Sequence, residues 1–393
     1  VLGKQYAVLG DRLYFMSLRD ESKLKELQDW TLRTGIKPDR VFFSIDAVLL
    51  YYPFCADFGP LNFGNVFRFC QVVREKLAQC DDEKKKLVYY CSADARLRTN
   101  AAALLGCYLI LEHGMTADEA FRPLNFSGRS PFLKYRDASF EPSTFELEII
   151  DVLRGIEKAV KVEILSVKAF DLQEYEYYDH PAVADLHVIV PGRFVAFKGP
   201  KAQRRQFQSH KVLTPGDYID IFRRLQVGAV CRLNNKQYDE SEFTAAGIRH
   251  YDMYFDDCTT PTEEVVRRFF AMCLKEKGAI AIHCKAGLGR TGTLIALWLM
   301  RKYHFTGKEA IGYIRVMRPG SILGQQQHFL LEHETQMWKA GDPDSEGAEA
   351  GLAHLRICNA FEAPEGQSLR QEAMRRAKEN TEAMKRRDAA AYA

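Results

Sequence analysis

His283-Cys284-Lys285-Ala286-Gly287-Leu288-Gly289-Arg290-Thr291-Gly292-Thr293 decides how the rest of the chain is read. It holds a cysteine, five further residues and then an arginine, with two glycines between and a hydroxyl directly after. A cysteine that attacks phosphorus must do so as a thiolate. It also needs positive dipoles around a tetrahedral dianion. Gly287 and Gly289 let the backbone curl so that successive N–H groups converge on the same oxygens. A helix beginning near Arg290 adds its positive end, and the planar guanidinium can grip two oxygens at once. Lys285, Ala286, Gly287, Leu288, Gly289 and Arg290 are therefore the candidate phosphate-binding loop, with Cys284 the candidate nucleophile.

A bare Cys-x5-Arg is a weak signal, so the flanks matter. Gly278-Ala279-Ile280-Ala281-Ile282 is a short uncharged apolar run, the mark of a buried strand. After the loop, Leu294, Ile295, Leu297 and Trp298 carry helical spacing, broken by Arg301 and Lys302. Cys284 thus falls at a strand-to-helix turn. Upstream, Tyr218, Phe222 and Leu225 make a helical face, Val227 to Leu233 reads as a strand, and Tyr251, Met253 and Phe255 alternate like another. Thr260-Pro261-Thr262-Glu263 predicts a capping box with Pro261 at the first helical position. That helix should run to about Lys277 and stop at Gly278. Alternating strands and helices argue for an α/β sheet covered by helices.

Attack on a phosphoserine also requires a proton for the departing alkoxide. Phe255-Asp256-Asp257-Cys258-Thr259-Thr260-Pro261 sits between a strand and a capped helix, and offers Asp256 and Asp257 as the acid.

The unit is written twice. Leu87-Val88-Tyr89-Tyr90-Cys91-Ser92-Ala93-Asp94, then Arg98-Thr99-Asn100, an apolar helix and Met115-Thr116-Ala117-Asp118-Glu119-Ala120 repeat the order of Ile280-Ala281-Ile282-His283-Cys284, Arg290-Thr291-Gly292, an apolar helix and Phe305-Thr306-Gly307-Lys308-Glu309-Ala310. The first copy has Leu97 where the arginine should stand and no glycine in its loop, so it reads as degenerate. Between the copies, Ser143-Thr144-Phe145-Glu146 has the form of a capping box ahead of a helix from Glu146 to Val162. The acidic, aromatic run from Ala169 to Asp179 reads as linker. Past Trp338 the composition shifts through Gly341-Asp342-Pro343-Asp344-Ser345-Glu346-Gly347 to a charged stretch, Gln367 to Arg387, compatible with a solvated helix. The expected organisation is a degenerate domain over 1–145, a helical acidic linker over 146–182, a catalytic domain over 183–340 and a charged tail over 341–393.

The chain has 393 residues, enough for two to three cores. A net charge of +3 is too mild to argue for nucleic acid. Its apolar stretches, such as Ala101 to Leu111, are too short to span a bilayer. Ten cysteines without paired spacing, and no secretory segment read ahead of them, lead to an expectation of free thiols in a reducing compartment. No His/Cys/Asp/Glu set has metal-ligand spacing, and neither metal nor cofactor is expected.

From about residue 1 to about 340 the chain resembles the Cdc14 family of dual-specificity phosphatases. The resemblance rests on Ala56-Asp57-Phe58-Gly59-Pro60-Leu61-Asn62, Arg136-Asp137-Ala138, Phe194-Val195-Ala196-Phe197 and the run from Ala279 through Thr293. It implies two tandem phosphatase-like α/β domains, each a central sheet flanked by helices, joined by a helical linker. It places the acid on Asp257, with Cys258 where the family usually has glycine. His283 is expected to hold the loop backbone and favour the thiolate, and Thr291 to hydrogen-bond Cys284 as the leaving group. Gly324-Gln325-Gln326-Gln327 resembles the family's Gly-Pro-Gln-Gln, which assigns Gln326 and Gln327 to placing water and leaves Gln325 in the proline's position. The substrates implied are phosphoproteins of cyclin-dependent-kinase type, phosphoserine followed by proline with a downstream Lys or Arg. Ala286 and Leu288 offer an apolar side to the proline, and Asp171, Glu174, Glu176 and Asp179 offer acid to the basic residue. Nuclear, nucleolar, cytoplasmic or spindle-pole placement is a further implication. The alternatives are a phosphotyrosine-preferring enzyme, a phosphoinositide phosphatase (which usually has a second Lys in place of Leu288) and a non-catalytic phosphoprotein-binding module.

Overall fold

The computed structural model describes residues 4–19, 22, 25, 39–125, 132–139, 142–206 and 211–341. The expected linker after Gly341 and the tail helix over Gln367–Arg387 lie outside them. In the N-terminal half, β1 (Tyr6–Leu9), β2 (Leu13–Leu18), β3 (Arg40–Phe43) and β4 (Lys86–Ser92) form a sheet of order β1-β2-β4-β3, antiparallel only at β1/β2. Helices α1 (Phe63–Asp82) and α2 (Ala95–His113) cover it, and α2 is buried without interruption from Thr99 to Ile110. A helix apolar all round belongs inside a core. Thr116 and Glu119 form the reciprocal cap expected of α3 (Ala117–Phe121).

The stretch between the halves is core rather than spacer. Helix α4 (Ile149–Lys161) buries Ile149, Val152, Leu153, Ile156 and Ala159, each larger aliphatic contributing about 1.5–3 kcal/mol of transfer free energy. The helix begins later than the sequence suggested, and the Ser143–Glu146 box does not form. Leu147 is bridged to Tyr135 and Glu146 pairs with Lys134, which keeps the chain extended. The cap is made instead by Glu148 and Asp151. Helix α5 (Leu172–Asp179) follows.

The C-terminal half carries β5 (Leu186–Val190), β6 (Phe194–Phe197), the short ribbon β7 (Arg205–Gln206) and β8 (Lys211–Val212), α6 (Pro215–Arg224), β9 (Val227–Arg232), α7 (Ser241–Thr244), β10 (Arg249–Asp252), α8 (Glu263–Lys275), β11 (Ala279–His283), α9 (Gly289–Tyr303), α10 (Gly307–Met317), α11 (Gln325–Glu332) and α12 (Glu334–Gly341). Its sheet runs β10-β9-β11-β6-β5, parallel except at β5/β6. The cap of α8 is Thr262, accepting from the Val265 amide at 3.3 Å, so Pro261 lies outside the helix. The helix also stops early, at Lys275. Buried Glu276 is drawn to Arg249 and Tyr251, and the chain there is already extended.

The halves meet where α4 crosses α10. A Cβ on Gly155 would fall 2.4 Å from the Glu309 carbonyl oxygen, and one on Gly312 would fall 2.8 Å from Val152 Cα. Glycine at both positions permits this backbone approach. One apolar cluster consequently runs from Phe15 and Phe69 through Leu105 and Ile156 to Ile311 and Leu294.

The repeat also takes a different register in space. The N-caps of α2 and α9 are Asp94 and Leu288. Counting from them, Arg96, not Leu97, stands at the place of Arg290.

Candidate active site

Strand β11 lies between β6 and β9, and His283, its last residue, pairs with Phe197 and Arg232. The loop from Cys284 to Leu288 leaves the carboxyl end of this parallel sheet, where open α/β folds place their ligands. Gly287 has φ 71°, and a Cβ there would lie 2.0 Å from the Phe197 carbonyl oxygen, so only glycine allows this curl. Arg318, which the sequence reading did not find, holds the loop from behind. Its Nε donates to Gly287 O and its Nη2 to Ala286 O, both at 2.9 Å. A trans peptide aims C=O and N–H oppositely, so the amides of Gly287 and Leu288 face away from Arg318. Among the described residues, no backbone acceptor meets the N–H groups from Lys285 to Gly289. Helix α9 starts at Gly289 with no side-chain cap, leaving its positive end open to an anion.

Arg318 is itself fixed. Asp185 accepts from its Nη2 at 2.8 Å, and His187 Nδ1 lies 2.8 Å from its Nη1. Because a guanidinium only donates, Nδ1 must accept. The proton then sits on Nε2, which lies 2.9 Å from Asp179 Oδ1 as an electrostatic contact without hydrogen-bond alignment. A chain from α5 to the phosphate loop results: Asp179, His187, Arg318, Gly287.

Cys284 is 2% exposed and Arg290 3%, so both form floor rather than rim. Arg290 Nη1 donates to Phe255 O at 2.7 Å and Leu233 O at 3.2 Å, and Nη2 lies 3.1 Å from Asp257 Oδ1. Among the described residues its buried Nε has no acceptor, and buried Thr291 Oγ1 has no partner. A buried polar atom left unpaired calls for an explanation, and a bound anion supplies one here. Thr291 is thus left with a hydroxyl to donate.

His283 is fully buried, and burial pushes its pKa down to about 3. Nδ1 lies 3.0 Å from Cys284 O and must donate to it; Nε2 then accepts from Tyr238 OH at 2.8 Å. The Tyr238 oxygen in turn meets His250 Nε2 at 2.8 Å. His283 therefore bonds the Cys284 backbone, but as a neutral ring it lends the sulfur no cationic charge.

The two acids separate. Asp257 faces Arg290, whereas exposed Asp256 accepts from Tyr254 OH at 2.6 Å and its carbonyl from Thr259 Oγ1 at 2.8 Å. Cys258 has φ 60°, a left-handed position that glycine occupies freely. The two glutamines separate as well. Gln326 is fully buried; its Nε2 donates to Thr259 O and its Oε1 accepts from Leu323 N, both at 3.0 Å. A Cβ on Gly289 would lie 2.8 Å from that Oε1, so Gln326 abuts the phosphate loop. Gln327 is tied to Arg315 Nη2 at 2.7 Å and to Gly324 O at 3.2 Å. Gln325 is the first residue of α11, where proline is tolerated because its N–H would be unpaired anyway.

The acidic set is largely engaged within the protein. Asp171 caps α5, accepting from the amides of Gln173 and Glu174. Asp179 is half-buried and supports His187. Glu176 takes a two-pronged grip from Arg68 at 2.8 and 2.6 Å. Glu174 and Glu176 are exposed on α5.

A Cys-x5-Arg loop at the end of a central parallel strand, in one of two halves built on the same plan, defines a dual-specificity-phosphatase type of protein. The comparisons agree. Residues 7–159 match the family model "Dual specificity protein phosphatase, N-terminal half", and residues 207–336 match "Dual specificity phosphatase, catalytic domain". The first match takes most of α4 with it. The chain is 43% identical to human "Dual specificity protein phosphatase CDC14A" over 86% of its length and 56% of that protein. It is 41% identical to human CDC14C over 77% of its length and 67% of that protein. It is 38% identical to the Caenorhabditis elegans "Tyrosine-protein phosphatase cdc-14" over 84% of its length and 46% of that protein. The chain belongs to the Cdc14 family of dual-specificity phosphatases. It spans about half the length of several of these relatives. Among the described residues no helix is long and apolar enough to cross a membrane.

Proposed function

We propose that this protein hydrolyses phosphoserine and phosphothreonine, and also phosphotyrosine, on proteins through a phosphocysteine intermediate. The observation that carries the reading is a loop, opened by Cys284, whose amides meet no backbone acceptor and whose Arg290 Nε has no partner among the described residues, at an uncapped helix start. The Cys284 thiolate attacks phosphorus and the P–O bond to the substrate breaks. Asp257 gives its proton to the departing oxygen. Water then attacks the phosphocysteine, Asp257 takes that proton back, and the P–S bond breaks to return the thiolate and free phosphate. Phosphate oxygens on Arg290 compete for Nη2 and release Asp257 toward the leaving group. Gln326 places the water, and Thr291 Oγ1 donates to the sulfur as it leaves. Positioning and charge stabilisation do most of this work.

Substrate preference is read from the rim. Leu288 and exposed Phe54, one from each half, come within 3.5 and 3.6 Å of a Cβ placed on Gly320, an apolar edge for a proline after the phosphoresidue. Exposed Glu174 and Glu176 suit a downstream Lys or Arg. Leu288 in place of a second lysine disfavours an inositol polyphosphate. Targets of cyclin-dependent kinases, a cell-cycle role and an intracellular site in nucleus, nucleolus, cytoplasm or spindle pole follow by family membership.

Substituting Cys284→Ser should cut turnover by at least about 10³-fold while phosphopeptide still binds; retained turnover would refute the reading. Charge reversal at Glu174 and Glu176 should weaken turnover of phosphoserine-proline peptides with a downstream Lys and spare a small aryl phosphate. Equal losses on both would remove the acids from recognition.

A further inference from the structure

Asp137 belongs to the N-terminal half, yet its carboxylate ends in the catalytic half. It is buried; Oδ2 accepts from the Gly324 amide at 2.6 Å, and Oδ1 accepts from Ser139 Oγ at 3.0 Å. Gly324 is the N-cap of α11 and takes φ 50°, ψ −124°, a conformation L side chains rarely adopt. Two residues on, Gln326 spans from Gly289 of the phosphate loop to Thr259 of the acid loop. The angle at which α11 leaves Gly324 therefore decides where the Gln326 amide lies.

A buried arginine holds the same segment. Arg315 of α10 is buried and donates to Ser321 O at 3.0 Å, Ile322 O at 2.8 Å and Gln327 Oε1 at 2.7 Å. Among the described residues its Nη1 has no acceptor. The carboxylates whose fields act on it, Asp137 and Asp57, are both buried and both come from the N-terminal half. Asp57 is itself held by Tyr51 OH and by the Cys55 amide at 2.7 Å. A buried guanidinium needs such compensation, so the segment from Ser321 to Gln327 is bonded to the other half at Gly324 and held by an arginine that the other half's carboxylates compensate.

We propose that Asp137 is a positioning residue for hydrolysis of the phosphocysteine. By holding the Gly324 amide it fixes the Gln326 amide against the phosphate loop, so the degenerate half completes the second chemical step. The restraint matters in this chain because Gln325 stands where a proline would otherwise lock φ. The inference rests on the proposed role of Gln326.

The experiment is rapid-quench kinetics on the full chain with a phosphoserine-proline peptide, comparing Asp137→Asn, Ser139→Ala, Gln326→Ala and Asp137→Asn with Gln325→Pro. Asn keeps the size but loses the charge and one acceptor. Steady-state kcat of Asp137→Asn should fall about 10-fold or more, since small misplacements at a reacting centre are costly. Its burst rate should stay within about threefold of the parent, and phosphoenzyme should accumulate. Gln325→Pro should restore part of kcat, and Ser139→Ala should shift it in the same direction by about two- to threefold. If burst and steady-state rates fall together without accumulation, or if neither changes, Asp137 is no positioning residue. Should Asp137→Asn not fold, Ser139→Ala decides between the same two outcomes, by accumulation or its absence. If Gln326→Ala itself accumulates no phosphoenzyme, the role of Gln326 falls. Accumulation in Asp137→Asn alone would then overturn the route through that glutamine.

Discussion

The units β4–α2 and β11–α9 are the same object built twice, and only one can hold a phosphate. Both strands are buried within their sheets, and both helices carry a threonine in the second turn that donates four residues back, Thr99 to Ala95 O at 2.7 Å and Thr293 to Gly289 O at 2.8 Å. Both have an arginine at the second helical position. The connection differs. Between β4 and the Asp94 cap stands only Ala93, whereas Cys284 to Gly287 stand between β11 and the Leu288 cap. With so short a turn no amides can curl inward. Asp94 then fills the helix start with its own carboxylate, accepting from Arg96 N at 2.9 Å and Leu97 N at 3.0 Å. Arg96 lies outward, over the Phe58 ring at 5.6 Å. The cavity of about 210 Å³ beside it is walled by Leu49, Tyr51, Pro53 and Phe58. A helix dipole and an arginine are thus insufficient; loop length and an uncapped N-terminus decide whether an anion enters.

The comparison breaks most readily at the arginines. Arg290→Ala should lower kcat/KM by about 10³-fold or more, as loss of a main transition-state donor does, whereas Arg96→Ala should leave it within about twofold. Similar losses from both would make the first unit a working site. Next comes the curl. Gly287→Ala cannot keep φ 71° beside Phe197 O and should cost about 10²-fold in kcat, while Ala93→Gly should be neutral; phosphopeptide kinetics on both variants decide it. Alkylation sharpens the contrast of the cysteines. Burial pushes the Cys91 thiol up to about 12, so iodoacetamide near pH 7 should modify it only on unfolding. Modification of the native protein at Cys91 would contradict its burial.

The smallest effect is in stability against pH. Folded His283 titrates near 3, well below the ordinary value near 6.5, because it is buried. Below about pH 6.5 the unfolded chain takes up a proton that the folded chain refuses. The stabilisation is complete above that pH and declines as pH falls toward 3. His187 and His250 are lowered by burial too and add to the same trend. Melting temperature should therefore drop steadily from pH 6.5 to 4.5; a flat profile would mean these rings are charged inside the fold.

What was legible in the sequence was what is local. The loop from His283 to Thr293, its apolar strand, its helix and the doubled order of elements all read correctly, because spacing within a dozen residues fixes them. The register of the repeat did not: Leu97 looked like the counterpart of Arg290 until the helix starts showed that residues are missing from the first loop. Arg318 was out of reach because its partners, Ala286, Gly287, Asp185 and His187, are brought to it only by the sheet. Arg318-Pro319-Gly320 signals a turn but not what the turn faces. Asp137 lay within a motif that carried the family resemblance, with nothing to say that it meets Gly324. The acids from Asp171 to Asp179 read as a uniform charged run; a cap, an ion pair with Arg68 and a prop for His187 become distinct roles only once helix α5 is packed.

The central claim concerns one sulfur, and acid-quenched enzyme mixed with labelled phosphoserine-proline peptide tests it directly. Peptide mapping of the trapped protein by mass spectrometry should find a single phosphorylated residue, Cys284, most abundant in the Gln326→Ala variant and absent from Cys284→Ser. Phosphate recovered on a histidine or on Cys91, or turnover with no covalent phosphate at any quench time in any variant, would contradict the account.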